Sequence, residues 1–183
     1  MKKIAALIAV FGVVFAGVCT ADEWESVGLQ DPTKVVLPAL TGEQFLALEA
    51  AKPAAAARTG EEALEGDSIY VMLVGFKGCG FCQNAENAVI KPLFKQYVQQ
   101  KYIKVVKVDK DEDAQKTQEQ SHRITELFNV EKFPTILIVH DKKEQWRYVG
   151  FDILKVKQIK DAITTKVQEI VNTMKANYAT KRS

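Results

Sequence analysis

The feature that most constrains the fold is a continuous apolar run from Ile69 to Phe76. A strand with one solvated face alternates polar and apolar residues, whereas a strand covered on both faces is apolar throughout. The run therefore predicts a central strand. Lys77-Gly78 predicts a turn after it, and Cys79-Gly80-Phe81-Cys82 then opens a helix with apolar residues at three- and four-residue steps through Gln100. Pro92 is predicted to kink this helix.

Periodicity indicates three further strands and two further helices. The strands are Tyr102–Val108, Thr135–Val139 and Trp146–Phe151, and the helices are a polar one over 112–128 and a long closing one from Val156 to Tyr178. The order strand, helix, strand, helix, strand, strand, helix predicts an α/β fold, with a central mixed β-sheet flanked by helices on both faces. The cysteine pair then lies just beyond the carboxyl end of the first strand, where chemistry collects in open α/β sheets.

The N-terminus is typical of a secretory signal peptide over residues 1–21. Lys2 and Lys3 precede an apolar run, Ile4–Val18, that is too short for a bilayer core of about 30 Å, and small residues lead to cleavage after Ala21. This predicts export to the periplasm, with no stable membrane association after cleavage. Two alternatives are an uncleaved anchor and a lipoprotein signal acylated at Cys19, for which Val18 is a poor fit.

Residues 22–66 are predicted to be an N-terminal extension to a domain over 67–183. Within the extension, Val35–Leu37 predicts a short strand, and Thr41 is a candidate cap for a helix that carries Phe45 and stops at Pro53. The Ala-rich residues 52–66 indicate a connection with little core of its own.

The net charge and the number of cysteines limit the range of possible functions. Loss of residues 1–21 lowers Lys+Arg from 25 to 23, equal to the 23 Asp+Glu, so the mature chain is formally neutral and nucleic acid is not expected as a partner. The same cleavage leaves two of the three cysteines, both in the CxxC pair. A bridge between them closes almost no loop and adds little structural constraint.

Two cysteines at i and i+3 on a first helical turn can form a disulfide, and the free amides and dipole there stabilise a thiolate. We therefore predict Cys79 as the exposed nucleophile and Cys82 as the more buried resolving cysteine. Lys77 either adds positive potential or is a solvated turn residue. A zinc site is the main alternative for a CxxC, but His122 and His140 are the only histidines and stand far apart. We expect no metal and no cofactor.

Pro134 is a second indication of the fold and the site, after the CxxC pair. A proline at the start of a strand donates no hydrogen bond to the ladder, so its presence there needs a reason. With it the chain resembles the thioredoxin family over about residues 67–170. The resemblance rests on Val74-Gly75-Phe76, Cys79-Gly80-Phe81-Cys82, Val106–Asp109, Phe128–Thr135 and Tyr148–Phe151. It implies a cis Pro134 beside the disulfide and a substrate-binding surface of Phe133, Pro134, Gly80 and Phe81, with the Phe133 main chain pairing with an extended substrate segment.

The chain departs from the thioredoxin pattern at three points. Gly78 replaces the tryptophan before the first cysteine, Gly75 replaces a buried acid that helps deprotonate the second, and Gly80-Phe81 contains neither proline nor histidine. A histidine there would make the disulfide more oxidising. We therefore expect a reductase rather than an oxidant.

The sequence thus predicts a periplasmic thiol-disulfide oxidoreductase that acts on protein thiols and disulfides. A reductase in an oxidising compartment needs electrons, and the resemblance implies a membrane electron donor. The alternative is a redox-sensing or partner-binding module without turnover, and a third hypothesis is metal delivery through the dithiol.

Overall fold

The computed structural model describes residues 35–51, 64 and 67–180. The predicted signal peptide with its cleavage point, Pro53 and nearly all of the Ala-rich connection lie outside the described residues. Among the residues described, no helix combines the length and apolar character needed to cross a membrane.

A four-stranded mixed sheet forms the centre of the molecule. The strands are β1 (Ile69–Gly75), β2 (Ile103–Asp109), β3 (Thr135–His140) and β4 (Lys143–Val149), in the spatial order β2-β1-β3-β4. β1 and β2 are parallel, and the other two pairs are antiparallel. All seven residues of β1 are buried, as its unbroken apolar run predicts.

The helices cover both faces of this sheet. They are α1 (Gly42–Ala50), α2 (Gly80–Ala85), a π-helical segment (Glu86–Ile90), α3 (Lys91–Tyr97), α4 (Lys110–Lys116), α5 (Ile124–Leu127) and α6 (Val156–Thr180), with short 3₁₀ turns at Gln120–His122 and Ile153–Lys155. One core cluster joins α2 to α3 and α6 to one face, and a second joins α1 and α5 to the other. The predicted thioredoxin-like α/β fold is confirmed.

Pro92 lies at the start of α3, which continues without a break from α2 and the π-helical segment, so its missing N–H removes a hydrogen bond from within the helical stretch. The irregularity predicted for this helix is present as the π-helical segment Glu86–Ile90, immediately before Lys91. The helix therefore accommodates the proline by changing its hydrogen-bond pattern over one turn.

The N-terminal extension differs from its prediction in one respect. Residues 35–37 form no strand; instead, Ala39 makes a single parallel bridge to Lys107 at the free edge of β2. The backbone bonds on either side of it run from Leu40 N–H to the Lys107 carbonyl and from Lys107 N–H to the Pro38 carbonyl, both at 2.9 Å. The helix prediction is confirmed, with Thr41 as the N-cap of α1.

The single polar helix predicted over 112–128 was wrong, because a buried carboxylate interrupts it. Asp113 is 1% exposed, and its oxygens accept hydrogen bonds from Gly42 N–H, Thr117 Oγ1 and Ile124 N–H, each at 2.8 Å. Thr117 is extended and ends α4. A buried carboxylate needs such donors, and a continuous helix would not bring them together.

A candidate dithiol–disulfide active site

The cysteine pair lies at the junction between β1 and α2. Gly78, with φ +87°, turns the chain, and Cys79 N–H donates to the Phe76 carbonyl at 3.3 Å. Cys79 is the N-cap of α2, and Cys82 lies in its first turn. The two sulfurs are joined in a disulfide of 2.04 Å.

The helix N-terminus supplies positive potential to the first cysteine. Cys79 Sγ accepts a hydrogen bond from Cys82 N–H at 3.1 Å. A sulfur in the N-cap position faces amides that have no partner within the helix, and a thiolate gains more from them than a neutral thiol does. The geometry is therefore suited to the nucleophilic role predicted for Cys79.

Both cysteines are buried. Cys79 is 8% exposed and Cys82 is 4% exposed. Cys82 is the more buried of the two, as predicted, but the prediction that Cys79 is exposed was wrong. The physical reason is the N-cap geometry, which folds the Cys79 side chain back over the helix terminus toward the Cys82 amide.

Gly75 provides the space that the second cysteine occupies. A Cβ atom on Gly75 would lie 3.0 Å from Cys82 Sγ and 3.1 Å from Cys82 Cβ. These distances are tighter than about nine in ten real Cβ contacts, so a larger residue would require the Cys82 side chain to shift by a few tenths of an ångström. The glycine at this position therefore gives the second cysteine room to pack against β1.

Pro134 and Phe133 lie beside the end of β1. The Phe133–Pro134 peptide bond is cis. β3 begins at Thr135, which pairs with Val74, so Phe133 lies beyond the ladder, while the Pro134 carbonyl accepts from Gly150 N–H at 2.7 Å. The structure therefore places Phe133 and Pro134 at the same end of the sheet as the cysteines, as predicted.

Apolar side chains are concentrated at this end of the sheet. Gly80 and Phe81 are exposed in the first turn of α2, with Phe81 at 66%. Seven large apolar side chains are exposed in the part of the chain that the structure describes. Four of them follow the C-terminal end of β1 or of β4, namely Phe76, Phe81, Ile153 and Leu154. Such a concentration is typical of a protein-binding surface.

A sequence model of the family described as "TraF: F plasmid transfer operon protein" matches residues 66–164, more than half of the chain. The chain belongs to the TraF family. The match contains both cysteines, Pro134 and all four strands of the sheet. No curated protein matches the chain.

Several solved thioredoxin structures are similar to this TraF-family protein. Thioredoxin NaTrxh from Nicotiana alata is 21% identical, with 72% of this chain and 90% of that one covered and a TM-score of 0.47. Thioredoxin from Trypanosoma brucei brucei is 16% identical, with 75% and 92% covered and a TM-score of 0.48. Mitochondrial thioredoxin 3 from Saccharomyces cerevisiae is 17% identical, with 70% and 94% covered and a TM-score of 0.47.

Sequence reasoning missed a group of charges behind the second cysteine of the TraF-family protein. The carboxylate of Glu86 contacts Lys107 Nζ at 2.8 Å and Lys91 Nζ at 3.3 Å. Partial burial acts to raise the pKa of Glu86, but the hydrogen bonds and charges of the two lysines outweigh burial and hold this pKa below its ordinary value. Glu86 is therefore ionised at neutral pH.

Sequence reasoning also missed an aromatic pair at the sheet edge. The rings of Phe76 and Phe133 meet edge to face with centroids 5.8 Å apart, and Lys110 Nζ lies 5.7 Å from the Phe76 centroid. The register predicts this pair once β1 and β3 are known to be antiparallel neighbours, because Val74 pairs with Thr135. No signal in the linear sequence indicates it.

The two histidines are not brought to the cysteines. His122 contacts Glu119 at 3.3 Å, and His140 contacts Asp67 at 3.0 Å beside the first residue of β1. Within 35–51, 64 and 67–180, no three His, Cys, Asp or Glu side chains are grouped so that they hold a metal ion. Lys77 is exposed in the turn before the cysteines. The arrangement as a whole is suited to thiol-disulfide redox chemistry.

Proposed function

We propose that this protein is a periplasmic thiol-disulfide oxidoreductase that reduces disulfides in exported protein substrates. The observation that carries the proposal is the Cys79 sulfur at the N-cap of α2, bonded both to Cys82 Sγ and to the Cys82 amide. A sulfur placed in this way is reactive as a thiolate and has its resolving partner one turn away.

The proposed reaction transfers two electrons and two protons to the substrate. The Cys79 thiolate attacks one sulfur of a substrate disulfide, a mixed disulfide forms, and the other substrate sulfur leaves as a thiolate and takes up a proton. Cys82 then loses its proton and attacks Cys79 Sγ, which forms the Cys79–Cys82 bond and releases the second substrate thiolate. A membrane electron donor is proposed to reduce the disulfide again.

The surface around the disulfide supports an extended segment as substrate. Phe133 lies beyond β3 with its main chain outside the ladder, so a substrate strand can pair with it. Pro134 adjoins it, and Gly80 and Phe81 contribute the opposite, helix side of the surface. We propose proteins of a plasmid-transfer system as the first substrates to test, because the family takes its description from the F plasmid transfer operon.

Location and direction are proposed from the sequence. Residues 1–21 have the pattern of a cleavable signal, so fractionation should recover the protein from the periplasm with Asp22 as its first residue. No histidine lies between the cysteines, which favours a reductase. An equilibrium potential near −120 mV against glutathione, the value of a strong oxidant, would reverse the direction.

Reduction of insulin disulfides tests the proposal. The wild type should exceed a free dithiol at equal concentration, and Cys79→Ser should abolish this activity. Cys82→Ser should lose turnover and retain substrates as mixed disulfides on Cys79. A wild type no faster than the free dithiol would overturn the proposal in favour of a redox-sensing or partner-binding module.

A further inference from the structure

Glu86 lies directly behind the resolving cysteine. It follows Cys82 by one helical turn, and its N–H donates to the Cys82 carbonyl. Side chains four residues apart on a helix have Cβ atoms about 5–6 Å from each other. The Glu86 carboxylate therefore originates beside Cys82, on the side of the helix that faces the sheet.

Lys107 reaches the same place from β2. Cys82 Sγ packs against Gly75, and Lys107 pairs with Leu73, two residues before Gly75 on the neighbouring strand. With strands about 4.8 Å apart and a rise of about 3.3 Å per residue, the Cα atoms of Lys107 and Gly75 are about 8 Å apart. The lysine side chain then crosses to Glu86, where Nζ and Oε2 are 2.8 Å apart.

One carboxylate and two lysines meet at this position. The Glu86 side chain is only 16% exposed and that of Lys107 36%, so water screens them incompletely. Lys91 adds a second positive charge 3.3 Å from the same carboxylate. Asp109 pairs with Gly75 in the register, but its carboxylate caps α4 by accepting from the amides of residues 111 and 112. Glu86 is thus the carboxylate in direct contact with both lysines, while Asp109 keeps its own charge at the start of α4.

We propose that Glu86 is a positioning residue that neutralises Lys107 beside Cys82 and thereby sets the pH at which Cys82 becomes a nucleophile. This inference rests on the proposed function, because it concerns the second step of that reaction. An unopposed lysine would stabilise the Cys82 thiolate, and an unopposed carboxylate would destabilise it. With both charges present, their opposite effects on the Cys82 thiol largely cancel.

The first test is a titration of Cys82 alone in a Cys79→Ser background, where Cys82 is the only cysteine after residue 21. Glu86→Gln should lower the pKa of the Cys82 thiol by about one unit, and Lys107→Gln should raise it by about one unit. The double variant should return close to the wild-type value. A purely structural role for the pair would not produce opposite signs.

The second test is the release of the second thiol in a single turnover of the reduced, cysteine-intact protein with a small aromatic disulfide. A pKa lowered by about one unit gives about tenfold more thiolate, and the lower nucleophilicity of that thiolate cancels about half of the gain on a logarithmic scale. Release at neutral pH should therefore be about threefold faster in Glu86→Gln and about threefold slower in Lys107→Gln.

Glu112→Gln is the matched control, since Glu112 pairs with Lys116 at 3.3 Å on α4, with both side chains more than half exposed. It should change neither the thiol pKa nor the release rate. Shifts of the same sign in Glu86→Gln and Lys107→Gln, or a Glu86→Gln shift no larger than that of the control, would overturn the inference. Glu86→Asp keeps the charge and should retain the wild-type pKa, which separates charge from folding. Failure of insulin reduction would overturn the proposed function and leave this titration measurable.

Discussion

Asp113 is a buried polar group whose removal should cost the protein much of its stability. Its carboxylate joins three separate segments, because it accepts from Gly42 N–H at the start of α1, from Thr117 Oγ1 at the end of α4 and from Ile124 N–H at the start of α5. Asp113→Ala removes the acceptor and leaves two backbone N–H groups buried without a partner.

The size of the effect follows from these bonds. A buried donor left unsatisfied costs about 1–3 kcal/mol, and the hydrogen bonds lost here have a charged acceptor. Two orphaned amides and a freed hydroxyl give an expected loss of about 3–5 kcal/mol from the free energy of unfolding. For a chain of this size, that loss lowers the melting temperature by about 10 °C. Asp113→Asn keeps one acceptor oxygen and should lie between Asp113→Ala and the wild type.

Urea unfolding followed by circular dichroism measures this loss. Asp111→Ala is the control, because Asp111 lies on the same helix and its ion pair with Lys110, at 2.7 Å, is exposed. It should cost less than about 1 kcal/mol. If Asp113→Ala costs no more than this control, the buried carboxylate does not hold the three segments together and the reasoning fails.

Three further outcomes are expected. Gly75→Ala should lower the free energy of unfolding by about 1–3 kcal/mol and slow disulfide exchange, because the added Cβ crowds the second cysteine. Gly80→Ala is its control, since the space around that Cβ is open, and urea unfolding of the two oxidised variants measures the difference in stability. Ile153→Ser with Leu154→Ser should weaken reduction of protein disulfides, seen as a higher KM, and leave reduction of a small disulfide unchanged, since these side chains are 66% and 89% exposed. The stability that Glu86 contributes should be present above pH 4.5 and be lost as pH falls through its lowered pKa, so the difference between wild type and Glu86→Gln in urea should shrink in acid.

Most of the fold is predictable from local patterns. The apolar run of β1, the alternation of β2 and the periodic face of α6 each reflect a period that burial imposes on the side chains. The segment over 112–128 was predicted wrongly because its conformation depends on the burial of Asp113, which accepts from Ile124 N–H across the break in the helix and from Gly42 N–H, 71 residues away in sequence. Residues 35–37 were misassigned because the bridge at Ala39 needs the edge of β2, which a local pattern does not show.

In the candidate site, too, some features are predictable from local sequence and others depend on the tertiary structure. The CxxC spacing and Pro134 are local signals, and the structure places both at one edge of the sheet. The burial of Cys79 was not predicted, since the N-cap geometry that folds its side chain inward depends on the turn at Gly78. Phe76 and Phe133 meet only through the register of β1 with β3.

Gly75 and the Glu86–Lys107 pair are two parts of one arrangement. Because Cys82 Sγ lies close to Gly75, a residue with a Cβ at that position would crowd the cysteine, and the glycine itself supplies no charge. Charge is supplied instead by Glu86 from the next turn of the helix and by Lys107 from the neighbouring strand. We therefore expect the pKa of Cys82 to shift in opposite directions in Glu86→Gln and Lys107→Gln and to return to the wild-type value in the double variant. A simple packing defect would not produce this pattern.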